Sequence, residues 1–208
     1  METGKESYNL IIAGVGGQGN VLASQLIGQV FIRKGYFVTI GETYGASQRG
    51  GAVMSHIRIS KRKQLSPLIP KGKADVLMAL EPVEAIRVLI PYGSPDVVAL
   101  VNTRPLYPVD VTAGEATYPE IEEIKGCLEN LSRKVYFIDA TEKAVQMGLP
   151  ILGNMIMIGA LIELGLLPFN YEDFCDILST NFDKKELALN IQAIGEGRKA
   201  AQRLASGS

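Results

Sequence analysis

The stretch that most constrains this chain is Ala13-Gly14-Val15-Gly16-Gly17-Gln18-Gly19-Asn20-Val21, placed directly behind the apolar run Tyr8 to Ile12. Glycines so closely spaced add no packing area; they permit a tight turn and let another group approach the backbone. Tyr8 to Ala13 reads as a short buried strand closed by glycines. Behind the turn, Val21, Leu22, Leu26, Val30 and Phe31 recur at helical spacing, and Gly35 follows Arg33 and Lys34 where a helix C-cap belongs. A further strand is predicted at Phe37 to Ile40. Strand, glycine turn, helix and strand in that order open a parallel α/β sheet.

Further on, Val53, Ser55, Ile57 and Ile59 alternate with Met54, His56, Arg58 and Ser60, which predicts a strand with one wetter face. Asp75 to Leu80 and Asp96 to Val101 read as short buried strands joined by a crossover helix at Pro82 to Leu89. Asn102 to Pro119 is predicted as an excursion with one edge strand. Ile121 to Leu131 reads as an amphipathic helix and Val135 to Ile138 as a further strand. After Asp139 the pattern is helical: Ala140 to Met147, Pro150 to Leu164, Tyr171 to Leu178, and Lys185 to Leu204, the last interrupted by Gly195 and Gly197. The expected fold is α/β: a Rossmann-like, mostly parallel sheet flanked by helices, with a helical C-terminal third. Residues 1–208 read as a single domain, with the sheet core at about 8–138 and the helical part at about 139–205.

Composition excludes several functions. A formal net charge of -1 leaves no excess of basic residues to replace phosphate counterions, so nucleic acid is not an expected partner; Lys61-Arg62-Lys63 reads as a loop tip. The two cysteines, Cys127 and Cys175, can neither build a disulfide framework nor hold an iron–sulfur cluster, which takes about four thiolates. The N-terminus has no apolar signal region, and Ile151 to Leu167, broken by Asn154, Glu163 and glycines, reads as a buried helix and not a membrane span. A soluble, cytoplasmic protein with no membrane partner is expected.

Gly14-Val15-Gly16-Gly17-Gln18-Gly19 satisfies G-x-G-x-x-G between a strand and a helix. The helix N-terminus offers unpaired N–H groups and partial positive charge, so a phosphate is one guest that suits it. The other reading is a turn that only permits tight packing. For NAD, the acidic residue that should hold a ribose follows about 20 residues on; Glu42 stands near that place but beyond Gly41. The loop Gly41 to Gly51 carries Tyr44 and then Arg49-Gly50-Gly51. An Arg ahead of a glycine pair either sets a guanidinium fork against a phosphate or sits at a surface turn.

Four blocks, GVGGQGN at 14–20, TYGASQRGG at 43–51 with SHIRIS behind it, DATEKAVQMGLP at 139–150 and NMIMIGAL at 154–161, resemble the gamma-type subunit or domain of 2-oxoacid:ferredoxin oxidoreductases, in particular the small-subunit branch of the indolepyruvate enzymes. The resemblance implies a subunit that is inactive alone. It implies a large alpha partner carrying thiamine diphosphate, Mg and iron–sulfur clusters, with ferredoxin as acceptor and an acyl-CoA as product. It also associates this module with coenzyme A. Carried over by position, Gly14, Gly16, Gly17, Gln18 and Gly19 would form a phosphate-facing turn, with Tyr44, Arg49, Gly50 and Gly51 lining the same crevice. Two alternatives remain open: a stand-alone NAD(P)- or FAD-binding oxidoreductase, and a non-catalytic nucleotide-binding module.

No residue is assigned a catalytic role or a metal. His56, the single histidine, reads as structural, since no carboxylate stands near it in sequence. Asp139 reads as a helix N-cap. Asn154, with Met155, Met157, Gly159 and Ala160, reads either as a partner contact or as ordinary core.

Overall fold

The computed structural model describes residues 7–45 and 51–206. In chain order the elements are β1 (Tyr8–Val15), α1 (Asn20–Arg33), β2 (Phe37–Tyr44), β3 (Ala52–Ser60), β4 (Ala74–Ala79), α2 (Pro82–Tyr92), β5 (Gly93–Asn102), α3 (Val109–Thr112), α4 (Ile121–Leu131), β6 (Lys134–Ile138), α5 (Ala140–Gln146), a 3₁₀ turn (Pro150–Leu152), α6 (Gly153–Glu163), α7 (Tyr171–Asn181) and α8 (Lys184–Ser206). The strands form one six-stranded sheet in the order β2-β3-β1-β4-β5-β6. Pairs β1–β4, β4–β5 and β5–β6 are parallel, whereas β3 runs antiparallel to both β1 and β2.

The sheet is thus mixed at one end. The glycine-turn unit does not close on an adjacent parallel strand, because β3 is inserted between β1 and β2 as a split βαβ arrangement. Alternation along β1 serves two layers. Leu10 and Ile12 face the core shared by α1, α6 and α8, while Ile11 and Ala13 face the core under α2 and α4. A strand covered on both faces reads as a continuous apolar run for this reason.

The end of α1 follows the sequence signal. Gly35, at φ 79, lets its own N–H reach Ile32 O at 2.9 Å and that of Tyr36 reach Phe31 O at 3.0 Å. Phe31 and Tyr36 meet edge to face at 5.5 Å; together these contacts are a Schellman stop.

Three expectations are corrected. The polar face of β3 is not wet: His56, Arg58 and Ser60 are all buried. The segment after β3 folds back over that face, so Arg58 Nη1 donates to Ser66 O at 3.1 Å and to Ser66 Oγ at 2.7 Å, and Ile69 N–H reaches His56 Nδ1 at 3.3 Å. The excursion after β5 holds no strand, only the four-residue α3. Nor do Gly195 and Gly197 interrupt α8, a 23-residue helix. A Cβ on Gly197 would overlap the Ile156 carbonyl, and one on Gly159 the Ile194 carbonyl, so these glycines bring α6 and α8 into backbone contact.

The apolar stretch 151–167 resolves into the 3₁₀ turn and α6, whose residues 153–161 are buried. Among the described residues, no helix is long and apolar enough to cross a membrane.

Candidate functional site

From β1 the chain turns to one side of the sheet through α1, and from β4 to the other through α2 and β5. The carboxyl ends of β1 and β4 therefore flank a switch point, where open α/β sheets bind ligands. The glycine turn lies there. Gln18 folds its side chain beneath the turn: Oε1 accepts from Val15 N–H at 2.7 Å and Nε2 donates to Leu80 O at 3.0 Å. Gly14, buried opposite Val53, makes room for this, since a Cβ would stand 2.5 Å from Gln18 Oε1 and 3.1 Å from Asn20 Oδ1. Gly19 is left-handed at φ 82, and its missing side chain makes room for the Asn154 amide, which donates to Gly19 O at 3.3 Å. Gly16 N–H donates to Gly51 O at 3.0 Å, tying the first loop to the second. Gly17 alone is solvent-exposed, with nothing where a side chain would stand.

Gly16, Gly17, Gly19, Asn20 and Tyr44 share one cleft. No charged side chain lines it among the described residues. Helix α1 begins there without a side-chain cap and without an acidic residue in its first turn, which leaves N–H groups and the positive end of the helix dipole facing the cleft. Tyr44 at the end of β2 is exposed; its hydroxyl donates to the Glu42 carboxylate, and that bond, with a smaller effect of burial, raises its pKa. Arg49 and Gly50 lie outside the described residues. The stems of their loop meet where Gly45 N–H donates to Ala52 O at 2.7 Å, at the edge of this cleft.

Two further features bring in residues that were not singled out from the sequence. The first is a crevice of about 200 Å³ whose lining includes Gln18, Asn102 and Asn154. Asn102 ends β5, donates to Leu80 O at 3.0 Å and Thr141 Oγ1 at 2.8 Å, and accepts from Ala140 N–H at 3.0 Å and Thr141 N–H at 3.2 Å. The polar ending of an otherwise apolar run, DVVALVN, was its signal. The second is a cleft of about 360 Å³ holding Glu81, Glu84, Arg87 and Tyr118. Burial pushes the Glu84 carboxyl above its usual range against the pull of Arg87, whose Nη1 lies 2.7 Å from it, and Glu81 adds to the rise.

The remaining candidates have structural partners. Asp139 Oδ1 caps α5 by accepting from Glu142 N–H at 3.3 Å. His56 is fully buried, edge-on to Tyr92 with centroids 5.0 Å apart, and burial lowers its pKa. Chemically, the clefts at the sheet's carboxyl edge offer backbone N–H groups, carboxamides and, in one of them, carboxylates.

The model of the pyruvate ferredoxin/flavodoxin oxidoreductase family matches residues 9–200. Indolepyruvate oxidoreductase subunit IorB of Pyrococcus horikoshii is 37% identical over 200 residues, covering 96% of this chain and 98% of that one. The corresponding subunit of Archaeoglobus fulgidus is 37% identical over 193 residues, covering 93% and 94%. Among solved structures, the pyruvate oxidoreductase subunit PORC of Thermotoga maritima superposes with a TM-score of 0.71 at 21% identity, covering 94% of this chain and 97% of that one. The 2-oxoglutarate:ferredoxin oxidoreductase of Magnetococcus marinus, solved with 2-oxoglutarate, coenzyme A and succinyl-CoA bound, gives a TM-score of 0.70 at 22% identity, covering 96% of this chain but 32% of that larger one. With a switch-point crevice built by a glycine turn, and whole-length relatives that are small subunits, the chain belongs to the pyruvate ferredoxin/flavodoxin oxidoreductase family, as a subunit of a ferredoxin-dependent 2-oxoacid oxidoreductase.

Proposed function

We infer that this chain is the small subunit of a cytoplasmic oxidoreductase acting on indolepyruvate-like aryl pyruvates. A larger partner would carry thiamine diphosphate, Mg and iron–sulfur clusters and pass electrons to ferredoxin. The cleft beside the glycine turn serves the coenzyme A side. The observation that carries this is the uncapped N-terminus of α1 opening on a cleft without charged side chains among the described residues. A diphosphate there meets N–H donors, which is what a phosphate site requires, and Glu42, bonded to Tyr44, is not among the residues lining the cleft. Coenzyme A supplies the thiol that accepts the acyl group. The backbone at Gly16, Gly17 and Gly19 and the side chain of Tyr44 would border its phosphates, with Arg49, on a loop rooted beside them, supplying charge. Gln18 and Gly14 hold the turn from beneath, and Gly51 fixes Gly16.

The dinucleotide alternative fits less well. Because β3 separates β2 from β1, Glu42 lies two strand spacings from β1, roughly 10 Å, and not on the neighbouring strand where a ribose is held.

The test is co-expression with the larger subunit, followed by reduction of ferredoxin or a dye with aryl and branched 2-oxoacids, with and without coenzyme A. Arg49→Ala is expected to raise the KM for coenzyme A on the order of tenfold, as loss of a charge-assisted bond does, and to leave the KM for the 2-oxoacid unchanged. An unaltered coenzyme A dependence removes Arg49 from that role. Tightly held NAD or flavin in the isolated chain would overturn the reading, and a complex without activity on any 2-oxoacid would favour a non-catalytic module.

A further inference from the structure

Between β5 and α4, residues 103–120 run across the carboxyl edge of the sheet without one buried residue. The segment's internal bonds are local: Glu115 and Ala116 N–H reach Asp110 O at 2.8 and 3.1 Å. Its ends are fixed, by Thr103 N–H on Ile138 O at 3.0 Å and by the capping box of Glu120 and Glu123 on α4. Between those ends its polar contacts to the sheet converge on one buried group, while the Tyr118 ring packs against the core under α2 and α4. Glu81, 2% exposed, accepts through Oε1 from the Tyr118 hydroxyl and, at 3.4 Å, from Leu106 N–H. Its Oε2 accepts from Glu84 N–H at 2.9 Å and so caps α2. Besides these there is a looser ion pair between exposed side chains, Arg104 and Glu142, at 3.8 Å.

A carboxylate out of water is tolerated only when its oxygens are filled by donors. Two of the donors to Glu81 come from the segment, so the buried state of this carboxylate and the seating of the segment stand or fall together. Leu106, beside one of those donors, lines both the carboxamide crevice and the Glu81–Arg87 cleft, and is the partition between them. Tyr107 and Val109 are 56% and 78% exposed, and Tyr107 meets Tyr118 edge to face with ring centroids 5.1 Å apart.

We propose that residues 103–120 are a hinged strap pinned by Glu81, and that its release joins the crevice and the cleft into one trough along the carboxyl ends of β1, β4 and β5. Tyr118 and Glu81 are positioning residues in this device: they set where Leu106 stands. Neither the strap nor Glu81 is among the residues assigned to coenzyme A, and the proposal holds whether or not that assignment does.

Hydrogen exchange on the full chain tests it. Tyr118→Phe keeps the ring and leaves the Glu84 cap on Glu81 intact, and removes the hydroxyl's bonds to Glu81 and to Val83 N–H. Exchange at Leu106 and across 110–116 is expected to quicken on the order of tenfold, the scale of one bond to a charged acceptor. Cleavage after Glu115 by a glutamate-specific protease should quicken in step, while α2 beyond Val83, β4 and β5 exchange as before. Glu81→Gln, which keeps an acceptor for the cap, should release the strap likewise. Unchanged exchange and cleavage in Tyr118→Phe would overturn the proposal. So would acceleration spread equally over α2 and β4, because Glu81 would then only be holding the fold.

Discussion

Gly197 on α8 lies against the carbonyl oxygen of Ile156 on α6 so closely that a Cβ would overlap it, and Gly159 on α6 stands in the same relation to the Ile194 carbonyl. Two helices cross here with backbones touching, at two points, because both lack side chains. Gly197→Ala must push the helices apart, at a cost of about 1–3 kcal/mol or more. Two positions earlier, Gly195 has nothing within 4 Å of its would-be Cβ. Gly195→Ala is therefore expected to stabilise the chain by roughly 0.5–1 kcal/mol, as alanine does in a helix interior. Urea unfolding of both variants checks the contrast; equal effects would contradict it.

The glycine turn makes a coupling prediction. Gly14→Ala drives a methyl toward Gln18 Oε1, Leu80 Cβ and Asn20 Oδ1. Gln18→Ala removes the acceptor for Val15 N–H, costing about 1–3 kcal/mol for an amide left unpaired. In the double variant the first clash has no partner left, so the two costs should sum to less than their parts by at least roughly 0.5 kcal/mol. Additive costs would mean that Gly14 is not there to seat Gln18.

Asn102 and Asp139 both serve the start of α5, to unequal degrees. Asn102→Ala breaks bonds to Leu80, Ala140 and Thr141 in a buried place, and should cost about 2–4 kcal/mol. Asp139→Ala loses one exposed cap bond and should cost about 0.5–2 kcal/mol. Thermal unfolding ranks them, and the reverse order would refute the hub assigned to Asn102.

His56 sets a pH dependence. Burial lowers its folded pKa below the unfolded value of about 6.5. As pH falls below that value the unfolded chain takes up the proton first, so stability is full above about pH 6.5 and declines toward the folded pKa. His56→Gln should flatten this slope in unfolding midpoints between about pH 5 and about pH 8. A wild-type slope retained in the variant would place its origin elsewhere.

Much of this was legible in the chain. The runs ending in Ala13, Leu80 and Val101 announce buried parallel strands because both of their faces must be apolar, and Ile121–Leu131 matches its periodicity to the residue. The position of β3 was not legible. Alternation over Val53 to Ser60 identifies a strand, but nothing local says that it enters between β1 and β2, or that residues 64–69 return to cover His56 and Arg58. The same holds for Gly195 and Gly197, identical in sequence terms, of which one meets a neighbouring helix and the other meets solvent.

By itself the sequence determined the elements and the turn: glycine spacing and apolar period act over a few residues, and local sterics enforce them wherever the chain lies. What each glycine and each carboxamide is for was decided by tertiary structure. Gly14 seats Gln18, Gly19 admits Asn154, and Glu81 holds a segment more than 20 residues away in the chain, relations that arise only when distant backbone groups are brought together and must be satisfied out of water.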